Sequence, residues 1–517
     1  MRALLSRILL VLALAGVLPR ARAFSLLGTF DAWMTPEIGY QIGLLDLGNT
    51  TLPPDIGGPM NLGEEYRWNM PLITYGFDES FLNYFGTKGV EEIEKAVKVF
   101  NDLPAVSQMS TNLSEFPLDT RRFNHRATAL YLYDLRSYAM AALMEVLGAA
   151  PAERYVWTLR SRVVIDNVPF YTVIKRNFDP LTLQPSAYVN SVLYTYQILQ
   201  TFTTPTWEAV EFEVDPSLPS VSSVSSFVGL SGTLLASGWA VDTAPGLFFT
   251  GLTRDDVAAL HYLYRPTNYN VESLATNAVL AAQGTASGTY LIGGSTGSGN
   301  SNPWGAPPGL TNVIGTNLPA INIALRSGVD KVNFVRVDYD SMLGGWVALT
   351  NVYEDKYITN YTQRSQTVQR TLTAPDVLFT AADLGIGVTS PVMYRRTIPL
   401  VNLDAQNGSE TLAGPGLIQP PVTVTFSKLG QFLINVPEGG EGDSIPGYFW
   451  GSYDGTTAEP VIYPYGASIQ DLERLVLSGS VNDSTQTPWL TPFVTATTTG
   501  TTTGTTGTTG GTTGTTP

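Results

Sequence analysis

The chain lacks cysteine altogether and has only two histidines, His125 and His261, among its 517 residues. Without cysteine it can form no disulfide bond, thiol nucleophile, cysteine-zinc site or iron-sulfur cluster. A Ser-His-Asp triad would need one of the two histidines, and no G-x-S-x-G motif accompanies either of them. These absences exclude most of the familiar catalytic machinery of enzymes.

Long apolar runs are also missing, apart from one near the start of the sequence. There, Arg2 and Arg7 accompany an apolar run over residues 8–17, and Ala21-Arg22-Ala23 fits the small-x-small rule for signal peptidase. The run is too short to anchor a protein in a bilayer. The sequence therefore predicts a signal peptide over residues 1–23, no membrane span, and a secreted, extracellular or cell-surface protein.

Basic residues are scarce, since 29 Lys and Arg face 44 Asp and Glu and give a net charge of -15. The signal segment holds four arginines and no acidic residue, so its removal moves the net charge to -19. Such a surface repels nucleic acid and anionic lipid. We therefore expect no nucleic-acid partner, and the acidic surplus leaves calcium as a candidate ligand. The scarcity of histidine and the absence of cysteine add the expectation of no catalytic cofactor.

Residues 24–270 mix helices and strands. Residues 71–77 read as a short strand, and residues 87–103 predict an amphipathic helix with apolar residues at three- and four-residue spacing, ended by Pro104. A second helix runs from an Asp134 cap to Gly148 and is apolar almost all round, which indicates a buried, central position.

A third helix begins at the capping pattern Thr253-Arg254-Asp255-Asp256 and ends before Pro266. Its spacing places His261 on the apolar stripe that faces the core. That position favours a structural histidine over a catalytic base. His125 lies in a basic stretch, residues 121–126, which favours a solvated loop over a ligand or anion site.

The remaining segments differ sharply in composition. Residues 155–249 read as a β-rich insertion, 271–309 as a Gly/Ser-rich linker, 310–492 as short strands without an intervening helix, and 493–517 as a disordered Thr/Gly tail. The predicted fold class is an α+β N-terminal domain with a β-rich insertion, followed by an all-β, sandwich-like C-terminal domain.

The order of elements in residues 24–270 resembles that of metzincin zinc peptidases of the matrixin type. A strand of the form ITYGF precedes an amphipathic helix, a buried helix and then LTRDDVAALHYLY. The closing helix is the strongest part, because Thr253, Asp255, Asp256, Leu263 and Tyr264 match the family's capped final helix. The resemblance covers about 90 residues in separate pieces and implies a zincin-like fold for this region.

In that family the central helix carries H-E-x-x-H-x-L-G-x-x-H, in which the histidines bind zinc and the glutamate activates water. Alignment on Leu147-Gly148 puts Ala141, Glu145 and Pro151 at the histidine positions and Ala142 at the glutamate position. No methionine lies between Met144 and Met342 to supply the family's methionine turn. The resemblance therefore implies a degenerate site that lacks its zinc ligands and its base, and whether another metal binds is unknown from these residues.

Three other kinds of site stay open. A glycosidase needs only two carboxylates at the right separation, and the candidates are Glu64, Glu65, Asp78, Glu79, Asp338 and Asp340. Calcium could bind a Gly-rich loop with Glu438, Glu441 and Asp443, although the regular D-x-D-x-D-G spacing is missing. A sugar-stacking platform could use Tyr353, Tyr357 and Tyr361, or Phe449, Trp450 and Tyr453, although the sheet core is the commoner place for such residues.

The prediction for function is a non-catalytic secreted or cell-surface protein, acting in adhesion, extracellular matrix or ligand binding on a pseudo-metallopeptidase domain. Its expected partners are extracellular proteins or polysaccharides. The alternative is a secreted hydrolase, either an unorthodox metallopeptidase or a carboxylate-based glycosidase.

Overall fold

A computed structural model describes residues 23–28, 33–34, 58–200, 207–218, 222–228, 245–273, 278–280, 323–359, 362–384, 397–401, 413–418, 420–426, 436–437, 444–445, 449–455, 459–464, 466–470 and 472–473. Strand accounts for 39% and helix for 24% of the structure, so the chain is a β-rich mixture of the two. The predicted linker core at 283–309, the tail, the calcium loop at 438–443 and all of the signal segment except Ala23 lie outside these ranges.

The helices of the described ranges are α1 (Glu79–Asn101), α2 (His125–Ala129), α3 (Leu135–Val146), α4 (Ala152–Tyr155) and α5 (Arg254–Tyr264). The strands up to residue 250 are β1 (Phe24–Gly28), β2 (Gly58–Pro59), β3 (Tyr66–Arg67), β4 (Leu72–Phe77), β5 (Arg121–Phe123), β6 (Tyr133–Asp134), β7 (Ala149–Ala150), β8 (Thr158–Ile165), β9 (Val168–Ile174), β10 (Asn177–Phe178), β11 (Tyr188–Val189), β12 (Val192–Gln200), β13 (Trp207–Glu213) and β14 (Leu247–Phe249). The later strands are β15 (Asn270–Ser273), β16 (Ala278–Leu280), β17 (Ile323–Arg326), β18 (Asn333–Arg336), β19 (Tyr339–Asp340), β20 (Gly345–Trp346), β21 (Leu349–Thr359), β22 (Thr362–Leu372), β23 (Val377–Phe379), β24 (Thr397–Val401), β25 (Ala413–Ile418), β26 (Val422–Val424), β27 (Val436–Pro437), β28 (Ser444–Ile445), β29 (Trp450–Ser452) and β30 (Val461–Tyr463).

A four-stranded parallel sheet in the order β18-β4-β23-β26 lies in the main hydrophobic core. Ile73 pairs with Phe334 on one side of β4, and Gly76 pairs with Leu378 on the other. β4 is buried at every position except its first, as expected for a parallel strand covered on both faces. Helix α1 packs on this sheet, and α3 packs on α1.

Strands from the end of the chain complete sheets that begin near its start. β25 pairs with β3, and β29 pairs with β6, in addition to the three partners of the β4 sheet. Phe334, Phe379 and Trp450 belong to the same core cluster as Ile73. The prediction of a self-contained 24–270 domain followed by a separate 310–492 sandwich is therefore wrong, because strands β18, β23 and β26 fill the sheet around β4.

Helix α1 is longer than the predicted 87–103 helix. It starts after Asp78, whose side chain accepts a hydrogen bond from the Phe81 amide at 2.8 Å. Gly86 has φ 60° inside it and kinks the helix. Glycine adopts this left-handed conformation without the steric cost that other residues bear, so the two segments join there.

Helix α3 confirms the predicted central buried helix. Every residue except Arg136 is buried, and the Asp134 carboxylate accepts hydrogen bonds from the amide and the hydroxyl of Ser137 at 2.8 and 2.7 Å. The helix buries an apolar surface on almost all sides, and α1 and strand β29 are among the elements that contact it.

Gly148 ends the turn after α3, and we expect Gly148→Ala to lower the free energy of unfolding by about 2 kcal/mol. Its φ is +100°, and an added Cβ would lie 2.2 Å from the carbonyl oxygen of Tyr66. Gly63 is a matched control with φ +88° and no neighbouring atom within 4 Å, so Gly63→Ala should cost only about 1 kcal/mol of backbone strain. Urea unfolding measures both, and equal losses would contradict the steric explanation.

Candidate functional site

The four positions of the degenerate zinc motif are sealed inside the protein. Ala141, Ala142 and Glu145 on α3, and Pro151 after it, are all buried. Glu145 is only 2% exposed, so α3 does not present it to an open cleft. No group of three or more His, Asp or Glu side chains in metal-binding proximity occurs among the described residues.

Carboxylates gather instead at the N-terminal end of α5. Thr253 caps this helix, and Asp256 accepts a hydrogen bond from the Thr253 amide at 2.9 Å, which forms the predicted capping box. Asp256 also accepts from the amides of Val224 and Ser225 at 3.0 and 2.9 Å. The cap therefore fixes the serine-rich segment 222–226 against the helix.

Two further buried carboxylates, Glu153 and Asp255, complete this carboxylate cluster. Glu153 accepts from the amides of Ser222 and Ser223 at 2.7 and 2.8 Å and from both hydroxyls. Asp255 accepts from the amide of Asn190 at 2.6 Å and from that of Ala23 at 2.9 Å. Burial raises the pKa of Glu153 and that of Asp255 to about 7.

Two carboxylates of this cluster could exchange protons near neutral pH, but solvent and substrates cannot reach them. Glu153, Asp255 and Asp256 are each at most 2% exposed, so no substrate reaches them in this conformation. Through the hydrogen bonds that their carboxylate oxygens accept, they link the start of α5 to three other parts of the chain. These parts are Ala23 directly before β1, the loop at Asn190 and the 222–226 segment. The sequence singled out Asp255 and Asp256 but missed Glu153, for which the serine run at 222–226 was the only available signal.

The acids considered for carboxylate catalysis differ in burial, and several of them have structural partners. Glu65 is buried, and burial raises its pKa. Asp78 caps α1 and accepts from the hydroxyl of Thr380 at 2.5 Å. Asp338 pairs with Arg336 at 2.7 Å, and Asp340 accepts from the amides of the following turn. Glu64 and Glu79 are exposed.

The two histidines differ in exposure. His261 is half-buried rather than part of the buried stripe of α5, and burial together with nearby Arg265 lowers its pKa. His125 is exposed on the first turn of α2 rather than in a loop. Next to it, Arg126 pairs with Glu459 and Glu473 at 3.2 and 2.9 Å, so the basic stretch is partly neutralised.

The predicted aromatic platforms are not exposed surfaces. Trp450 and Phe449 are buried, in agreement with the sheet-core interpretation, and Tyr453 is half-buried with its hydroxyl bonded to the Leu132 carbonyl at 2.9 Å. Tyr353 and Tyr357 are half-buried on β21. Tyr361 lies outside the described residues.

Among the described residues, exposed apolar side chains are most numerous on the hairpin of β8 and β9, here called the ribbon (residues 158–174). Every residue from 162 to 170 is exposed. Val163, Ile165 and Phe170 keep 53%, 55% and 55% of their surface in water, although side chains of this kind are usually buried. Asp166 and Asn167 form its turn with φ 49° and 63°, the left-handed pair that two-residue hairpins require.

Strand pairing arranges the apolar residues on both faces of the ribbon. Val163 pairs with Phe170, and Ile165 pairs with Val168, so these four residues share one face. Val164 and its partner Pro169 lie on the other. A hairpin with one face on a protein core would expose polar residues on its second face, so this ribbon projects into solvent.

The base of the ribbon combines cations with aromatic rings. The guanidinium of Arg162 lies 4.2 Å from the ring centre of Trp207, and that of Arg160 lies 4.4 Å from that of Trp33. The ammonium of Lys175 lies 4.9 Å from the ring centre of Trp157. These cation-π contacts orient the base while the apolar tip stays free of the protein body.

The ribbon is also basic within an acidic chain. Residues 157–176 contain four basic side chains and one acidic side chain, Asp166, whereas acidic residues outnumber basic ones in the whole chain by 44 to 29. The sequence predicted only a β-rich insertion here. The run VVIDNVPF has the composition of a buried strand, so its exposure could not be read from the sequence.

Comparison of the chain with protein-family models, with curated proteins and with solved structures gave no match. Within the described part of the chain, every helix is too short or too polar to cross a membrane.

Proposed function

We propose that this protein is an exported, non-catalytic binding protein that attaches to its partner through the ribbon. The observation that carries the proposal is the ribbon tip, where apolar side chains on both faces are about half exposed. Exposed apolar surface gathered in one place marks interaction sites far more often than the scattered apolar residues of an ordinary surface do.

The energy available at the tip is sufficient for binding. Burying an aliphatic or aromatic side chain fully contributes about 1.5–3 kcal/mol, so covering the exposed halves of five such residues contributes roughly 5 kcal/mol. The hairpin is already ordered by its turn and its cation-π base, which limits the entropy lost on binding. A two-stranded hairpin alone is only marginally stable in water, so a bound partner would also stabilise it.

A non-catalytic role is supported by the placement of the reactive groups. The zinc-motif positions hold Ala141, Ala142, Glu145 and Pro151, and all are buried. The carboxylate cluster is closed to solvent, and neither histidine contacts it in the described hydrogen bonds. Enzymes need their acids and bases within hydrogen-bonding reach of a substrate.

We also propose that residues 24–270 derive from a metzincin-like scaffold and that the protein is exported by its signal segment. The scaffold is supported by the chain order of β4, α1, α3 and α5, and by Gly148, which ends α3 where the motif has its glycine. The likeness to that scaffold is incomplete, because the other three strands of the sheet that contains β4 come from beyond residue 330.

The test compares the double variant Ile165→Ser/Phe170→Ser with the control Met342→Ser/Leu343→Ser, since Met342 and Leu343 are 95% and 82% exposed on another hairpin. Binding is measured by surface plasmon resonance on immobilised glycans, matrix proteins and phospholipid bilayers. We expect at least one of these classes to be bound, with at least tenfold weaker binding for the ribbon variant and no change for the control. Ribbon-independent binding, or turnover of any panel member, would contradict the proposed function.

A further inference from the structure

We infer that the partner of the ribbon is the surface of an anionic lipid bilayer, into which the tip inserts. This inference rests on the proposed function and names the partner of the same surface. It is carried by three observations that agree with one another: the height of the apolar tip, the aromatic and basic residues beneath it, and the local charge.

The height of the tip suits the depth of the lipid interface. Three successive cross-strand pairs, from Val163–Phe170 to Ile165–Val168, are apolar. With the turn they rise about 10 Å above the base at the usual spacing per strand residue. Interfacial protein segments bury their apolar parts about 5–10 Å into the boundary between headgroups and acyl chains. The tip therefore reaches that boundary and stops short of the bilayer centre.

The residues below the tip are those that membrane interfaces favour. Trp157, Trp207 and Tyr171 lie at the base, and Tyr171 stands 5.8 Å from Trp207 between ring centres. Aromatic rings with polar edges are enriched at headgroup level, where Lys and Arg side chains also extend toward phosphates. Arg162, stacked on Trp207 directly below the tip, is thus positioned at the level of the headgroups, and Lys175, stacked on Trp157, follows further from the tip, four residues after the Tyr171 partner of Arg162.

Charge distinguishes the ribbon from the rest of the surface. The chain as a whole carries -15, which led to the expectation that anionic lipid is repelled. Whole-chain charge does not describe the ribbon, where Arg160 and Arg162 accompany Asp166 and where Lys175 and Arg176 follow directly after β9. An anionic bilayer attracts basic groups within a Debye length and repels the acidic remainder, so electrostatics orients the protein with the ribbon toward the lipid.

The other exposed apolar turn, between β19 and β20, also has an aromatic pair, Tyr339 and Trp346, with ring centres 5.5 Å apart, but it differs from the ribbon in charge. Met342 and Leu343 are more exposed than any ribbon residue, but Asp338 and Asp340 flank their hairpin and approach the bilayer with the wrong sign. One acidic residue, Asp166, also lies at the ribbon tip. Its left-handed φ favours Asp, Asn or Gly, and Asp166→Asn should therefore preserve the turn and strengthen lipid binding.

The first experiment measures co-sedimentation of the full chain with vesicles of phosphatidylcholine alone or mixed with phosphatidylserine. Binding is expected only to the mixed vesicles and should weaken as salt is raised. Phe170→Asp should weaken it at least tenfold, and Arg162→Gln/Lys175→Gln by about 5- to 25-fold, because a basic residue close to an anionic surface contributes about a fivefold factor and Lys175 lies further from the tip than Arg162.

Matched controls separate the ribbon from general charge and hydrophobicity. Lys88→Gln/Lys98→Gln changes the net charge equally at exposed positions of α1, and Leu343→Asp changes an equally apolar tip. Neither control should alter binding. Circular dichroism and thermal unfolding of each variant show whether it retains the fold, and the conservative Phe170→Leu should retain binding.

The second experiment uses the absence of cysteine. A single cysteine introduced by Val168→Cys, labelled with an environment-sensitive fluorophore, should shift to shorter wavelength on mixed vesicles and be quenched by lipid nitroxides. The same label at Leu343→Cys should not respond. An unchanged label at 168, equal binding to neutral vesicles, or ribbon-dependent self-association in sedimentation without vesicles would overturn the lipid assignment. Ribbon-dependent binding to glycan or protein alone would overturn it while the proposed function stands.

Discussion

Asp376→Ala is expected to lower the free energy of unfolding by about 3–5 kcal/mol, because it breaks a buried ion pair by removing one partner. Asp376 is fully buried and accepts from the Arg370 guanidinium at 2.9 Å and from the amide and hydroxyl of Thr74 at 2.9 and 3.0 Å. In the variant, Arg370 loses the carboxylate that balances its charge. Strand β4 also loses the hydrogen bonds through which Asp376 links it to Arg370 at the end of β22.

The loss should affect the whole protein at once. Thr74 lies near the start of the chain and Asp376 in its last third, yet their contact joins β4 to the segment before β23. Urea unfolding followed by far-ultraviolet circular dichroism and by tryptophan fluorescence should show both transitions shifting together. The milder Asp376→Asn keeps the shape and should fall between the wild type and Asp376→Ala. Asp102→Ala, at the exposed Lys98–Asp102 pair, should change little. Two separate transitions, of which only one moves, would contradict the interleaved fold.

Stability should rise as the pH is lowered from about 7 to about 5, in contrast to the acid sensitivity of many proteins. Burial raises the pKa of Asp134, Glu153, Glu208 and Asp255 to about 7. In this window the folded protein binds protons at these groups that the unfolded chain does not. Their contribution is therefore complete below the ordinary carboxyl pKa and is lost as the pH rises through about 7, on the order of 1 kcal/mol per group and pH unit.

Other groups act in the opposite direction but do not reverse the sign. The lowered pKa of His261 makes the folded state bind fewer protons there, so this single group favours folding as the pH rises. The pKa of Asp215 is lowered by the hydroxyl and amide of Ser217, and its contribution is lost only at pH values below the ordinary carboxyl range. Between pH 7 and pH 5 the four buried carboxyl groups outweigh His261, so the free energy of unfolding increases on acidification.

Asp134→Asn isolates one of the four groups. Asparagine caps a helix about as well as aspartate, so the bonds to Ser137 are largely preserved while the titration is removed. Denaturation across the pH range should show the variant equal to the wild type only below about pH 4, the ordinary carboxyl pKa, and increasingly more stable than the wild type as the pH rises toward 8. Parallel curves for the two proteins would refute the assigned role of burial at Asp134.

Local structure followed from the sequence where its cause is local. The buried helix α3 and the capped helix α5 are confirmed, since Asp134 and Thr253 are recognisable caps and the apolar spacing has a helical period. The start of α1 was missed because Gly86 separates its first two turns from the periodic part. Asp78, followed by Glu79, was a readable capping signal.

What the sequence could not provide is pairing between distant segments. Nothing in residues 72–77 indicates that their neighbours are 333–336 and 377–379, because apolar parallel strands carry little information about their partners. The exposure of the ribbon could not be predicted either, for a different reason. Its apolar run is chemically like a core strand, and only the course of the backbone reveals that the core is elsewhere.

The position of Ala23 has a consequence for the predicted removal of the signal segment. Ala23 is completely buried, its amide is bonded to Asp255, and β1 directly after it pairs with β2, β7 and β10. A peptidase that cuts after Ala23, as the sequence predicts, needs an accessible and extended substrate. Cleavage and the pairing of β1 with its neighbouring strands are therefore competing steps, and their relative rates decide which comes first. Under the predicted cleavage, a molecule that folds first would bury the bond to be cut, and the time available to the peptidase would be the time that β1 takes to pair with its neighbouring strands.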